Sequence, residues 1–469
     1  MKEYDVLILG AGVAGLSCAD EILKNSPKTK LLVLEKNNFV GGLAVTIRED
    51  GFNYDLAPHR WFTKNEELNK WIADLIGPEM ITVKKYTPMF QFGKFFEYPI
   101  KISDVIKNIN FIKSFYMLLT YLWEKIRSVF CKRKIRTMRD AYVSRFGWGL
   151  YKWFNQEYND KLWGKNGCET MSADFVNQRV KNLSMITALT NALGFNKSKV
   201  ISLVPEFKYP KMGVGRISEK LAERIIGNGG EISLNEPVAK IKKQKRGYWV
   251  ITPKGEYLAK HLISSMPLDK FMANFTNKDL DKLKYVHQKI VVLKALGKRL
   301  TDFTWVYVHP KKIKTFRFME TNNWSPAMSP RGKTSLIFEY PYQAGDEIEN
   351  MSDKKLIEIT ISDFIKYFAP KGVKRSDILS GKVYRISEAY PKYDLNYAKA
   401  LKKIYRFAEK NLKGVQLIGR SGMFHYNNLD HSIYTGLLAA RNYLAGKNVY
   451  DLNLVNNEAE YLEEIKKVK

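Results

Sequence analysis

Cysteine is nearly missing from this chain of 469 residues: Cys18, Cys131 and Cys168 are odd in number and scattered, with no CxxC and no Cys/His spacing. That excludes a disulfide framework and a metal site, and fits a reducing compartment. Cys18 falls inside the first expected helix, as small core filler. A long uninterrupted apolar run is also lacking. The most apolar window, Phe111 to Phe130, is broken by Lys113, Glu124, Lys125 and Arg127, whereas a spanning helix needs about twenty largely apolar residues. No basic, apolar and cleavable leader precedes the first strand, so the expected location is cytoplasmic, with peripheral membrane contact left open. Repeats, low-complexity tracts and Gly/Ser linkers are absent, which predicts interleaved rather than tethered parts. With no zinc finger, recognition helix or RNP-like strand, specific nucleic-acid recognition is not expected.

What is present is a 45% apolar composition, enough for the cores of two joined domains, and a formal net charge of +29. The charge is spread along the chain, and much of it reads as solvated surface. Two partners suit the remainder, an anionic small-molecule substrate and an anionic membrane surface. For the second, the aromatic stretch Phe111 to Phe130 is followed by Lys132-Arg133-Lys134-Ile135-Arg136, so 111–136 has the composition of an interfacial helix with a polybasic flank. The preferred reading of the same window is a core helix of the second domain with a solvated end.

The most informative stretch is the N-terminus. An apolar strand, Tyr4 to Leu9, runs into Gly10-Ala11-Gly12-Val13-Ala14-Gly15 and a helical pattern. Gly10 permits the tight turn, Gly12 lets backbone approach a pyrophosphate, and Gly15 allows close helix–strand packing. A second strand, Leu31 to Leu34, ends in Glu35, placed to accept ribose hydroxyls. After Glu35 and Lys36 comes another glycine pair, Gly41-Gly42, where the chain passes close to something again. This pair resembles the signature of flavoproteins related to amine oxidases, and it favours FAD over NAD.

Five further blocks extend the resemblance. The glycine-rich loop at Gly213 enters a helix at Ser218–Ile226, stopped by Gly227-Asn228-Gly229-Gly230. The strands that follow resemble the middle of an amine-oxidase-like flavin domain, in which the segment at Val238 borders the adenine. Near the C-terminus, a strand ends in Gly419-Arg420, and Asn428-Leu429-Asp430-His431-Ser432 opens a helix. That block resembles the Gly-Arg…Asn-x-Asp-His-Ser run of UDP-galactopyranose mutases. Asn53-Tyr54-Asp55-Leu56-Ala57-Pro58-His59 resembles the mutase segment whose histidine lies over the flavin, although Ala57-Pro58 replaces a glycine pair and stiffens the loop. Met171 to Arg179 and Arg385 to Asp394 resemble substrate-side segments of the same group. By that resemblance His59, Arg179, Arg385 and Tyr390 are the candidate catalytic residues, with Arg179 and Arg385 as phosphate clamps. His261, His287 and His309 are expected to be structural, and His425 is divided between site and packing.

The expected fold is α/β: a Rossmann-like FAD-binding domain made of 1–84, 205–270 and 410–446, interleaved with a mixed α+β substrate domain made of 85–204 and 271–409. The latter carries a helical insertion, and 447–469 forms a tail. Three functions follow from the resemblance. The first is a mutase-like enzyme in which reduced FAD acts as nucleophile on a nucleotide-linked or phosphorylated sugar. The second is an oxidase or desaturase of an amine, porphyrinogen or lipid-linked substrate. The third is a non-catalytic binder like the Rab GDP-dissociation inhibitors, against which Glu35, Gly41-Gly42 and Asp430-His431-Ser432 all argue.

Overall fold

The structure, a computed structural model, describes residues 2–98, 108–131, 133–179 and 206–456, without the side chains of residues 178 and 179. Two large sheets organise it. The first is built on the N-terminal strand Lys2–Leu9, which pairs in parallel with Leu31–Leu34 on one side and Gly255–Ser264 on the other. Glu231–Ser233 extends the sheet beyond Leu31–Leu34, and the hairpin Lys240–Gln244/Gly247–Thr252 extends it beyond Gly255–Ser264. Val415–Leu417 pairs in parallel with the end of Gly255–Ser264. Leu31–Leu34 and the second half of Lys2–Leu9, from Val6 onward, are buried on both faces, as the unbroken apolar runs require.

Three helices cover one face of this sheet. Val13–Asn25 packs closely on Leu429–Leu444, where a Cβ at Gly436 would lie 2.2 Å from the Ala14 carbonyl oxygen. Ser17 Oγ donates to the Ile433 carbonyl across the same crossing, at 3.1 Å. The helix Gly215–Gly227 lies beside them, one residue longer at its C-terminal end and three at its N-terminal end than the sequence pattern outlines.

The second sheet has seven strands, with Ile378–Lys392 at one edge, then Lys284–Leu296, Lys333–Tyr342, Arg317–Glu320, Trp305–Val308, Met89–Gln91 and Lys94–Phe96. Its last two strands form a hairpin turning at Phe92-Gly93, both of which have positive φ (53° and 76°), the combination a two-residue turn demands. Alternation along these strands decides what each face meets. Val291, Leu293, Phe338 and Tyr340 face the helix Asp353–Tyr367, packing with its Phe364. Ile290, Val292, Ile337 and Met319 face the other way and share a core with the first sheet's helices.

The helix Phe111–Phe130 departs from its expected place in a core. Only Met117, Tyr121 and Glu124 are buried, at i, i+4 and i+7. They rest on Met138–Leu150, whose Gly147 and Gly149 permit backbone contact: a Cβ at either would lie 2.7 Å from backbone atoms of Tyr121 or Met117. The rest of the helix surface faces outward. No helix among the described residues is long and apolar enough to cross a membrane.

Candidate functional site

The turn at the end of the first strand forms a cradle open on one side. Gly10 has φ 101° and a Cβ there would strike Ser265 Oγ at 2.4 Å; at Gly15 it would strike the Gly10 carbonyl oxygen at 2.1 Å. At Gly12 a Cβ would meet nothing within 4 Å. Gly12 also begins the helix Val13–Asn25 without any side-chain cap, so its first amides and the positive end of its dipole are presented to whatever occupies that space. Gly41 and Gly42, both at positive φ, close the cradle: the Gly41 amide donates to the Ala11 carbonyl at 2.8 Å. Glu35 is buried beside them. Its Oε2 accepts from the Ala11 amide at 2.8 Å and its Oε1 accepts from the Asn37 amide and side chain, which leaves lone-pair capacity on Oε2. Lys36 is exposed on the loop beyond, and Val238 is half-buried in the segment after Glu231–Ser233.

A second set of groups lies where the two sheets meet. Asp55 anchors the loop that carries His59: it accepts from Thr46 Oγ1 at 2.6 Å, the Tyr209 hydroxyl at 2.7 Å and the Val214 amide at 3.2 Å. Gly213 belongs to this anchor, since a Cβ there would lie 2.3 Å from Thr46 Oγ1. The His59 Nδ1 atom is buried with no hydrogen-bond partner. Burial, together with the nearby positive charges of Arg420 and Arg317, pushes the imidazole down to about 3, so it is neutral at physiological pH.

Arg317 opens its strand directly opposite Glu339, and the cross-strand pair is bidentate at 2.5 and 2.8 Å, with Glu339 only 1% exposed. Its guanidinium also reaches the Tyr390 hydroxyl at 3.4 Å. Arg420 is held by the carbonyls of Asn427 and Ala389, at 2.8 and 3.2 Å, and lies 5.3 and 5.5 Å from the ring centres of Tyr390 and Tyr426. Those two rings stack at 5.2 Å. Tyr158 and His309, stacked at 5.0 Å, continue the aromatic wall next to Phe316. Burial pushes the Tyr390 phenol up to about 12 and the His309 ring down to about 3, so both are neutral. The result is an aromatic chamber with two fixed arginines, one of them already matched by a carboxylate.

A family model described as flavin containing amine oxidoreductase matches residues 13–444. The chain belongs to that family. The chain is 22% identical over 94% of its length, and 99% of the relative's, to a coproporphyrinogen III oxidase of Staphylococcus aureus (strain NCTC 8325 / PS 47). It is 23% identical over 55% of its length, and 56% of the relative's, to a 1-hydroxycarotenoid 3,4-desaturase of Flavobacterium sp. (strain P99-3). Its fold superposes on a reduced UDP-galactopyranose mutase with a TM-score of 0.83 at 20% identity, covering 97% of this chain and 99% of the other. A putative protoporphyrinogen oxidase from Exiguobacterium sp. 255-15 follows with a TM-score of 0.72 at 16% identity, covering 93% and 98%.

Membership implies FAD, and the residues present fit it. The open space at Gly12, the uncapped helix start and the buried Glu35 suit a dinucleotide, and the orphaned His59 nitrogen suits the edge of a bound ring. The C-terminal block of the chain packs against the same turn. Gly419, at φ 73°, donates its amide to Thr435 Oγ1 at 3.0 Å, and a Cβ there would lie 3.0 Å from Ala14 Cβ. Asn428 caps Leu429–Leu444, with its amide donating to His431 Nδ1 at 3.1 Å. His431 thus has a capping duty in addition to any contact with a ligand. Asp430, His431 and Ser432 are all buried.

Asp430 is the titratable oddity of this end. Burial pushes its carboxyl up to about 7, against opposing hydrogen bonds from the His431 amide and the Thr63 side chain. A carboxyl whose folded pKa lies above its unfolded value binds protons more tightly when folded, so stability falls as pH rises from about 4 to about 7. Asp430→Asn is therefore expected to stabilise the FAD-stripped protein at pH 8, by up to about 4 kcal/mol, and to change it little at pH 4. Urea unfolding of both proteins at the two pH values measures the difference. An equal effect at both would show that Asp430 is not protonated by folding.

The other expectations divide. Tyr390 and His59 come together with Arg420, as the motifs imply. Arg385 does not join them: it is half-exposed and pairs with Asp353 at 2.6 and 3.2 Å, on the sheet face covered by Asp353–Tyr367. Arg179 ends the helix Asp174–Arg179, and its side chain lies outside the described residues. Tyr393 stacks on Tyr397 at 4.3 Å in the core. His425 is half-buried, and burial lowers it to about 4. Arg317, Glu339 and Tyr158 escaped the sequence reading. Each stands alone in its segment without a motif, and only the opposition of Arg317 to Glu339 across two strands gives the pair away.

Proposed function

We propose that this protein is an FAD-dependent oxidoreductase acting on an acidic substrate with a large unsaturated or apolar body, such as a carboxylate-bearing porphyrinogen. The observation that carries the reading is the pairing of Arg317 and Arg420 with the aromatic wall of Tyr158, Tyr390 and Tyr426. Arg317 is matched by the buried Glu339, and the Arg420 guanidinium lies against the rings of Tyr390 and Tyr426, a setting that an acidic group complements better than an amine does. An acidic group would be gripped by the two guanidiniums, which also hold its orientation. The aromatic rings would cover an apolar body and exclude water. His59 and Tyr390 are neutral near pH 7 and so can orient a substrate or donate a hydrogen bond without carrying charge. The chemistry a bound flavin supplies in such a chamber is acceptance of a hydride from a C–H bond held beside it. Kinship in sequence with a coproporphyrinogen oxidase over 94% of the chain supports this direction.

The motif Asp430-His431-Ser432 also supports a second reading, a sugar mutase, because the same two arginines suit a diphosphate.

Anaerobic mixing of the oxidised protein with coproporphyrinogen III decides between them. Bleaching of the flavin is expected, with two electrons taken from porphyrinogen per FAD, and oxygen, as electron acceptor, should restore the colour and allow the further two-electron steps. If the flavin stays oxidised with porphyrinogen, while the dithionite-reduced protein interconverts UDP-galactopyranose and UDP-galactofuranose without net oxidation, the mutase reading replaces the first.

A further inference from the structure

The helix Phe111–Phe130 carries a broad apolar surface with nothing over it among the described residues. Eleven large apolar side chains are exposed along it, among them Phe111 at 80%, Trp123 at 65% and Phe130 at 85%. Scattered exposed leucines are ordinary, but a contiguous patch of this kind on one helix marks an interaction surface. At about 100° per residue, the eleven fall in one stripe roughly 160° wide, diametrically opposite the anchoring residues Met117, Tyr121 and Glu124. Lys113 and Arg127 border one edge of the stripe, and Lys125 borders the other. The helix has a single acidic residue, Glu124, which is buried and paired with Arg133 at 2.9 Å and Arg127 at 3.5 Å. The outward face therefore has cations at its margins and no carboxylate. Exposed Lys134 and Arg136 follow directly.

We propose that this helix is an interfacial anchor that lies in the plane of an anionic lipid surface, its apolar stripe in the acyl boundary and its lysines and arginines among the headgroups. Charge decides for lipid over a second copy of this chain. Two such faces would bring like-charged margins together on molecules of formal net charge +29 each, with no carboxylate on the face to relieve them. Anionic headgroups complement the same margins, and the aromatic side chains Phe115, Tyr116 and Trp123 suit the boundary between headgroup and hydrocarbon. A chain of rings joins the anchor to the candidate site. Tyr116 meets Trp153 at 5.5 Å, Phe154 meets His309 at 6.3 Å, and His309 stacks on Tyr158 at 5.0 Å. Anchoring would thus hold the arginine-lined chamber near the phase in which an amphiphilic substrate concentrates. The anchor itself does not depend on which reaction the site performs.

Vesicle co-sedimentation of the full-length, flavin-loaded protein tests the anchor. Wild type is expected to pellet with vesicles in which phosphatidylglycerol replaces part of the phosphatidylcholine. The triple variant Phe115→Gln, Trp123→Gln, Phe130→Gln should bind them at least about tenfold more weakly while keeping its flavin spectrum. Because the substitutions leave charge unchanged, equal binding by both proteins would assign the attraction to the general positive charge and overturn the proposal. Failure of wild type to bind, or a dimer in light scattering that the variant disperses without vesicle binding, would overturn it too. A second reading guards against misfolding of the variant: brominated lipid should quench wild-type emission more than that of Trp123→Phe, and equal quenching would refute insertion of this helix.

Discussion

A Gly15→Val chain is expected to yield no flavin-bearing protein, whereas Gly12→Ala should yield a folded protein that has lost most of its affinity for FAD. The two glycines lie three residues apart in one motif, and their surroundings are opposite. A Cβ at Gly15 would sit 2.1 Å from the Gly10 carbonyl oxygen and 3.2 Å from Ile8 Cγ2, so helix Val13–Asn25 would be driven off the strand that supports it. Backbone cannot yield there without opening the central strands of the first sheet. A Cβ at Gly12 meets nothing in the chain itself, and its φ of −72° suits any residue. Its methyl group costs nothing until a diphosphate approaches. Visible absorbance of the purified proteins reports bound flavin, and urea unfolding of the stripped proteins reports the fold. Gly12→Ala should match wild type in the second measurement and bind FAD at least about tenfold more weakly, about 1.4 kcal/mol, in a titration. Unchanged affinity would remove Gly12 from the cofactor site.

Replacement of Arg317 by Met should cost about 3–5 kcal/mol of stability and abolish turnover, because Glu339 would be left charged and unpaired at 1% exposure. The nearest remaining donor is Gln288 Nε2 at 3.3 Å, which does not neutralise it. The informative comparison is the double variant Arg317→Met, Glu339→Gln. Removing both charges should recover most of the lost thermal stability, since the penalty resides in the orphaned carboxylate. Turnover should stay lost, because the guanidinium proposed to grip the substrate is still missing. Thermal unfolding and steady-state assays of the three proteins separate the two effects. If turnover returns with stability, Arg317 serves only to hold its strands together.

The glycine cradle was legible in the chain because its geometry is local. A strand, three glycines at fixed spacing and a helix leave the backbone one way to turn, and Gly10, Gly12, Gly15, Gly41 and Gly42 occupy the places their spacing implies. The loop ending in His59 was legible by resemblance, although its anchor was not: Asp55 reaches Thr46, Tyr209 and Val214, residues up to 159 positions away. The aromatic-basic helix was legible in composition and ambiguous in direction. Its apolar residues outnumber what one buried stripe requires, and a sequence pattern does not say which side meets the core.

What the sequence determined by itself is therefore the α/β class, the dinucleotide-binding turn and the presence of a second, mixed sheet, which follow from short-range periodicity and glycine placement, while the flavin was implied by resemblance alone. The tertiary structure decided which arginine faces the chamber. Arg385 pairs in register with Lys289 and lies in a row with Tyr340, on the face covered by Asp353–Tyr367, while Arg317 shares its row with Glu339, Ile290 and Tyr384 on the other face. Successive residues of a strand point to opposite sides, so a shift of one position in pairing exchanges a surface ion pair for a cation beside Tyr390. That parity is set by strand pairing between segments far apart in the chain, and no motif within either segment records it.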